Sequence, residues 1–395
     1  MLQTTASLSL PKASHHSPLQ PWLVDGFWES LLILAPPFLS TLLALTLTLN
    51  QQASTTARSM PLWFWVVCIV MVDVAHVYST LFQTYFQTEE RHRHPLRYSL
   101  IPLFSFLGGC FVHSLSASLF WTLLAYLAVF HFVRQQYGLM ALYKRKEVQD
   151  DSVFARFGNS LDTVLIYATM LYPLIYWHTH LPREFSWFMP GDFLTAVPFW
   201  LEPFAGGVYG LVILVYCFKE WQGFKNSGWI NLPKNLILLG TACAWYTGIV
   251  LLNGDMAFTL TNVLSHGIPY MGLIWLLQNK QTIQNKGQNS SQNKAKNTLK
   301  AKSALTELPT LLPGLFLGLL LLWALAFTEE AFWDGFVWQE HQSVFRWLPF
   351  FDVLPSFSPL DMNALSWVVP LLATPQITHY LLDGFIWRKS EASQL

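Results

Sequence analysis

The sequence predicts an all-α protein, a polytopic membrane bundle of about ten transmembrane helices, and three observations carry that prediction. Hydrophobic residues make up 53% of the 395-residue chain and charged residues only 12%, against about a quarter charged in ordinary soluble domains. The apolar residues gather into separate runs, many near the length of about 20 residues that crosses a bilayer at 1.5 Å rise each. Lys and Arg, finally, fall almost entirely on alternate connections between those runs.

Taken in order, the apolar segments are 27–49, 61–85, 98–118, 119–143, 161–178, 204–222, 232–252, 255–278, 308–327 and 361–386. The first 26 residues are polar and carry Pro11 and Pro18 with no apolar h-region, so no cleavable signal peptide is expected. The first run then acts as an uncleaved signal-anchor. The third and fourth abut and together are too long for one span; they are divided at Ser114–Ser118. Residues 27–278 form a membrane unit of eight helices. Residues 279–307, rich in Asn, Gln, Lys and Ser, read as a flexible linker, since they cannot bury a core. Residues 308–395 add two further helices that complete the bundle. Between these two, 328–360 mixes Trp333, Trp338 and Trp347 with acids and prolines and is expected to be a loop at the membrane interface.

Charge placement supports this count. With the connections numbered alternately, one side collects 19 of the 23 Lys and Arg; the other holds only Arg58, Arg183 and Arg346, and Arg134 lies inside a span. The positive-inside rule then places both termini in the cytoplasm, as for a multi-pass protein of a bacterial inner membrane. The 23 acids balance the 23 bases, so no basic excess points to nucleic acid; the lipid bilayer is the expected partner. Cys68, Cys110, Cys217 and Cys243 each sit in an apolar run without a CxxC pair, and read as small buried hydrophobes.

Ionisable groups within spans are costly and usually functional. Five histidines fall there: His76, His113, His131, His266 and His379. All but His113 lie on the second, fourth, eighth and tenth segments, which run in the same direction, and each lies about 7 to 12 residues before the cytosolic end, roughly 10–18 Å of helix. Four imidazoles at one depth suit a transition metal: iron, with copper, zinc or nickel open to the same ligands. Polar residues share the helix faces of these histidines: Asp73 three before His76, Gln135 four after His131, Asn262 four before His266, Tyr270 four after it, and Asp383 four after His379. Such companions orient metal-bound imidazoles. Arg134 requires a partner, either as an ion pair with Asp73 or Asp383 or beside a substrate. His92 and His94 belong to a charged loop, and His178 and His180 point to different faces. Di-iron HxxxH boxes, HExxH, P-loop and GxSxG patterns are absent from the chain.

Four local patterns, VDVAHVYST around His76, AVFHFVRQQYG around His131, NVLSHGIPY around His266 and ATPQITHYLLDGFIWR around His379, together resemble the Brp/Blh family of bacterial membrane β-carotene 15,15'-dioxygenases. The strongest local likeness is the last, with His379, Asp383, Phe385 and Arg388 in order. The family's first histidine usually stands in a Pro-His-Gly setting followed by Asp; here Ala75 and Val77 flank His76, and Asp73 precedes it. The resemblance implies an all-helical polytopic fold, iron held by four histidines, and oxidative cleavage of a carotenoid by O2. For this chain the expectation is a non-haem iron oxygenase acting on a lipid-soluble, carotenoid- or isoprenoid-like substrate. Two other classes fit the same residues: a transporter or proton-coupled carrier using the buried His, Asp and Arg as a relay, and a non-catalytic membrane scaffold.

Overall fold

The computed structural model describes residues 20–51, 60–145, 147, 153–181, 191–195, 197–292, 308–348 and 362–387. Among the described residues there is no β-strand, and beside the short helices Thr88–Arg93 and Gln342–Phe345 there are ten long helical rods: α1 (26–51), α2 (Leu62–Phe82), α3 (Pro95–Leu115), α4 (Ala117–Lys144), α5 (Val153–Thr179), α6 (Leu201–Ser227), α7 (Leu232–Leu251), α8 (255–292), α9 (308–338) and α10 (Met362–Ile386). Among the described residues seven helices are long and apolar enough to cross a membrane: α1, α2, α3, α4, α6, α7 and α9. α5, α8 and α10 are less apolar, and two of these carry His266 and His379.

Local chemistry fixes the boundaries. α1 is capped by Asp25, whose carboxylate accepts the Phe27 and Trp28 N–H groups, while the buried Glu29 accepts those of Leu23, Val24 and Asp25 at 2.9, 2.5 and 2.8 Å. The division of the third and fourth runs falls at Ser116, which is extended and whose hydroxyl accepts the Leu119 N–H at 3.2 Å. Asn231 caps α7 through the Lys234 N–H. Gly228 ends α6 at φ 66, a conformation that a Cβ would disfavour.

Two sequence expectations change. α9 runs to Trp338, so 328–338 is helix and not an interfacial loop. The acids that suggested a loop are accommodated inside the bundle: Glu329 accepts the Tyr78 hydroxyl at 2.5 Å and the Trp333 indole N–H at 3.2 Å. Trp333 itself is buried. α8 likewise continues to Gln292, well into the polar segment 279–307. The N-terminal 19 residues, the remainder of that segment, residues 349–361 and Arg388 lie outside the described residues.

Packing sets four rods around one axis. α2 contacts α8 and α10, and α4 contacts the same two, so α2, α8, α4 and α10 close a ring. Of the others, α1 leans on α7 and α8, α9 on α2, α3 on α10 along much of its length, and α5 and α7 on α4, while α6 packs on α5. Close approach of α2 to α8 depends on Gly267: a Cβ there would meet Val72 Cγ1 at 2.8 Å and the Val72 carbonyl at 3.3 Å. Near one end of the bundle, the fully buried Asp162 gathers Lys144, Lys219 and Lys234 at 3.1, 2.5 and 3.4 Å. Glu147 and Glu220 complete the knot on Lys234 at 2.9 and 3.3 Å. It ties α4 through α7 together and balances charges that would otherwise be buried alone.

Candidate metal centre

Each rod of the inner ring brings one histidine to its axis. His76, His131, His266 and His379 are 1–3% exposed. Their ring centroids keep the order of the helices: 4.7 Å from His76 to His266, 4.9 Å to His131, 4.5 Å to His379, and 5.0 Å back to His76. Two Nε2 pairs face each other at 3.1 Å, His76 with His266 and His131 with His379. One ring nitrogen from each of the four lies within 4.8 Å of all the others.

Those distances can be tested against coordination geometry. With metal–nitrogen bonds of about 2.1 Å, adjacent ligands at a right angle are about 3.0 Å apart and opposed ligands about 4.2 Å apart. The two 3.1 Å pairs match adjacent ligands. The 4.8 Å limit exceeds an opposed pair by an amount that a movement of roughly 0.3 Å in each ring would remove.

The outer ring nitrogens also fit. A ligating Nε2 requires the proton on Nδ1. Thr80 Oγ1 lies 2.6 Å from His379 Nδ1, and the same hydroxyl is 2.9 Å from Tyr270, which donates to Asp383 at 2.5 Å. Asp383 faces two imidazoles, with Oδ2 3.8 Å from His131 Nδ1 and Oδ1 3.8 Å from His379 Nδ1. Asp73 Oδ1 lies 3.6 Å from His76 Nδ1. Three of the four histidines thus have an acceptor beside Nδ1, which leaves Nε2 to point inward with its lone pair. His266 is held differently, by its ring stacked on Phe132 at 4.0 Å. Tyr380 stacks on His131 at 4.5 Å.

Backbone irregularities aim two of the rings. A π-turn over Val66–Val74 precedes His76, and another over Thr259–Leu264 precedes His266. Such wide turns shift the angular register of the next helical residues and recur at functional sites. Pro269 cannot donate to the carbonyl of Ser265, four residues before it. That carbonyl is instead approached by the Gln136 amide from α4, at 3.4 Å, and Gln135 donates to the His266 carbonyl at 2.8 Å.

The sequence-derived companions therefore divide. Asp73, Tyr270 and Asp383 surround the imidazoles. Gln135 serves the backbone of α8 rather than His131 on its own helix. Asn262 turns away from His266 and donates to Thr261 at 3.0 Å, where both residues press on Gly248 of α7. Arg134 is exposed; it donates to the Tyr167 hydroxyl at 2.8 Å and lies over the Tyr137 ring at 5.0 Å, rather than pairing with Asp73 or Asp383. His113 is buried against Phe120, apart from the cluster. Thr80, Phe132 and Tyr380 were not anticipated. The aromatic residues adjoin predicted histidines in sequence, and Thr80 stands four after His76 on α2, but its hydroxyl serves His379 across 299 positions, a partner that spacing along one helix does not signal.

Two cavities adjoin the cluster. One, about 170 Å3, is walled mainly by aromatic and aliphatic side chains, with Phe132 and Tyr380 on the side of the imidazoles. The other, about 200 Å3, is lined by His76 and by Asp73, Glu329 and Glu330. Asp73, Trp121, Leu124 and Gln376 line both.

Fold and site together define a helical, membrane-helix-rich protein with a buried four-histidine cluster able to hold a metal ion. No family model, no curated protein and no solved structure matches the chain.

Proposed function

We propose that the chain is a membrane non-haem iron oxygenase that acts with O2 on a lipid-soluble substrate, its ten rods all spanning the bilayer and both termini cytoplasmic. One observation carries this reading: four buried imidazole nitrogens, from four helices, lie within 4.8 Å of one another. An all-imidazole donor set without thiolate suits iron among the available metals. Iron bound there would supply activation of O2 for oxidation of the substrate.

The chain's own residues supply the rest. The four rings hold the donor nitrogens; Thr80 holds the Nδ1 of His379, and the Asp383 and Asp73 carboxyl groups lie beside those of His131 and His76. Burial of every imidazole excludes bulk water. The cavity behind Phe132 and Tyr380 provides an apolar space beside the site for a molecule arriving from the bilayer. The likeness of the sequence around His76, His131, His266 and His379 to the Brp/Blh dioxygenases supports the same chemistry and suggests a carotenoid or other isoprenoid as substrate.

The test is O2 uptake by purified protein reconstituted with ferrous iron, offered a panel of carotenoids and shorter isoprenoids in detergent. Substrate-dependent uptake, abolished by His131→Ala, is the expected result. A protein that retains iron yet consumes no O2 with any lipophilic substrate would overturn the oxygenase assignment.

A further inference from the structure

The walls of the two cavities beside the imidazoles limit what can be bound. The apolar cavity is lined by Trp121, Phe132, Trp177, Trp245, Phe258 and Tyr380 among others. Its volume of about 170 Å3 is close to that of an engineered protein cavity, about 150 Å3, which takes up a single benzene. It has room for one ring and a short substituent. A long chain would have to leave it.

Four carboxyl groups lie on these walls. Asp73 and Asp192 line the apolar cavity, and Glu329 and Glu330 the adjoining one. Gln376, whose amide donates to the Tyr380 hydroxyl at 2.7 Å, lines both. Among the described residues no Lys or Arg lines either cavity. The charged groups that act on Glu330 are Glu329, Asp73 and Asp334, all acids. The His76 imidazole, 1% exposed, lines the acidic cavity with Nδ1 making no hydrogen bond. An anionic ligand finds no compensating cation in this lining, whereas a neutral hydrogen-bonding group finds carboxyl partners.

We propose that the paired cavities bind a molecule with one ring-sized apolar group, seated among the tryptophans, that bears a hydrogen-bond-donating substituent directed to the carboxyl-lined space. The substrate is then a ring alcohol, phenol or amine rather than a pure hydrocarbon or a carboxylic acid. This inference rests on reading the site as an oxygenase centre, but binding does not require the metal, so it is tested separately.

The experiment is equilibrium dialysis of detergent-purified, metal-free full-length protein with three probes of one ring size: 4-ethylphenol, ethylbenzene and 4-ethylbenzoate. Ala128 lines the apolar cavity, so Ala128→Phe fills it and Ala128→Val fills it in part. The expected result is saturable binding of one 4-ethylphenol per chain, about tenfold tighter than ethylbenzene from the added hydrogen bond, with no binding of 4-ethylbenzoate. Ala128→Val should weaken binding and Ala128→Phe abolish it, while the thermal midpoint stays at or above that of the wild type. Equal binding of the three probes, binding undiminished in both variants, or no saturable binding to wild type would overturn the proposal. None of these outcomes bears on whether the four histidines hold iron.

Discussion

Replacing Thr80 by Val is the sharpest probe of how the centre is held. The substitution keeps the branched shape and removes only the hydroxyl. That hydroxyl is 4% exposed with its residue and joins two groups, His379 Nδ1 at 2.6 Å and the Tyr270 hydroxyl at 2.9 Å. Without it, the nearest acceptor for the His379 Nδ1 proton is Asp383 Oδ1 at 3.8 Å, too far for a hydrogen bond. A buried donor left without a partner costs about 1–3 kcal/mol. Loss of a partner that orients a metal-bound imidazole typically lowers metal affinity by about 10–100-fold, or roughly 1.4–2.7 kcal/mol. Competition with a chelator of known affinity should report a weakening of that size in Thr80→Val. Thr80→Ser, which restores the hydroxyl, should return to within about threefold of wild type, a difference of only about 0.6 kcal/mol. If Thr80→Val binds metal as tightly as wild type, the chain from His379 through Thr80 and Tyr270 to Asp383 does not orient the ligand.

Other parts of the fold yield three further predictions. Gly267→Ala places a methyl group against Val72 where α2 and α8 meet, forcing His76 and His266 apart; metal content should fall by more than half while helical circular dichroism persists. Asp383→Asn keeps the volume but weakens the acceptor of the Tyr270 hydroxyl, the far end of the chain that runs through Thr80 to His379, so metal affinity should drop about 10–100-fold, read by the same chelator competition. Lys234→Met leaves Asp162, Glu147 and Glu220 short of a buried cation. Breaking such a network costs about 3–5 kcal/mol, so the thermal midpoint should fall while the metal stoichiometry of the surviving folded protein is unchanged.

Much of the site was legible in the sequence because membrane segments exclude charge so strongly that a histidine within an apolar run stands out. His76, His131, His266 and His379 fell at one depth on alternate segments, and that parity is what the ring of α2, α8, α4 and α10 uses. The break at Ser116 was legible for a different reason, since a serine-rich junction both interrupts hydrophobicity and caps a helix. The less legible features depend on contacts between helices. Gln135 and Asn262 were matched to histidines by spacing along one helix, yet Gln135 bonds across to α8 and Asn262, within a π-turn, faces α7. Thr80 shares no helix with His379 at all. Glu329 and Glu330 looked like the start of a polar loop because composition does not reveal that Tyr78 and Trp333 supply donors inside the bundle. Arg134 finds tyrosines rather than acids, a choice of partner set by which face of α4 meets α5.

The central claim, that the four histidines form a metal centre, is tested most directly by elemental analysis. The purified wild-type protein, loaded with ferrous iron under reducing conditions and then freed of loose metal, is compared with His76→Ala, His131→Ala, His266→Ala and His379→Ala. The account predicts one tightly held iron per wild-type chain and its loss from each of the four variants. Folded wild-type protein that retains no transition metal, or variants that all keep it, would contradict the account.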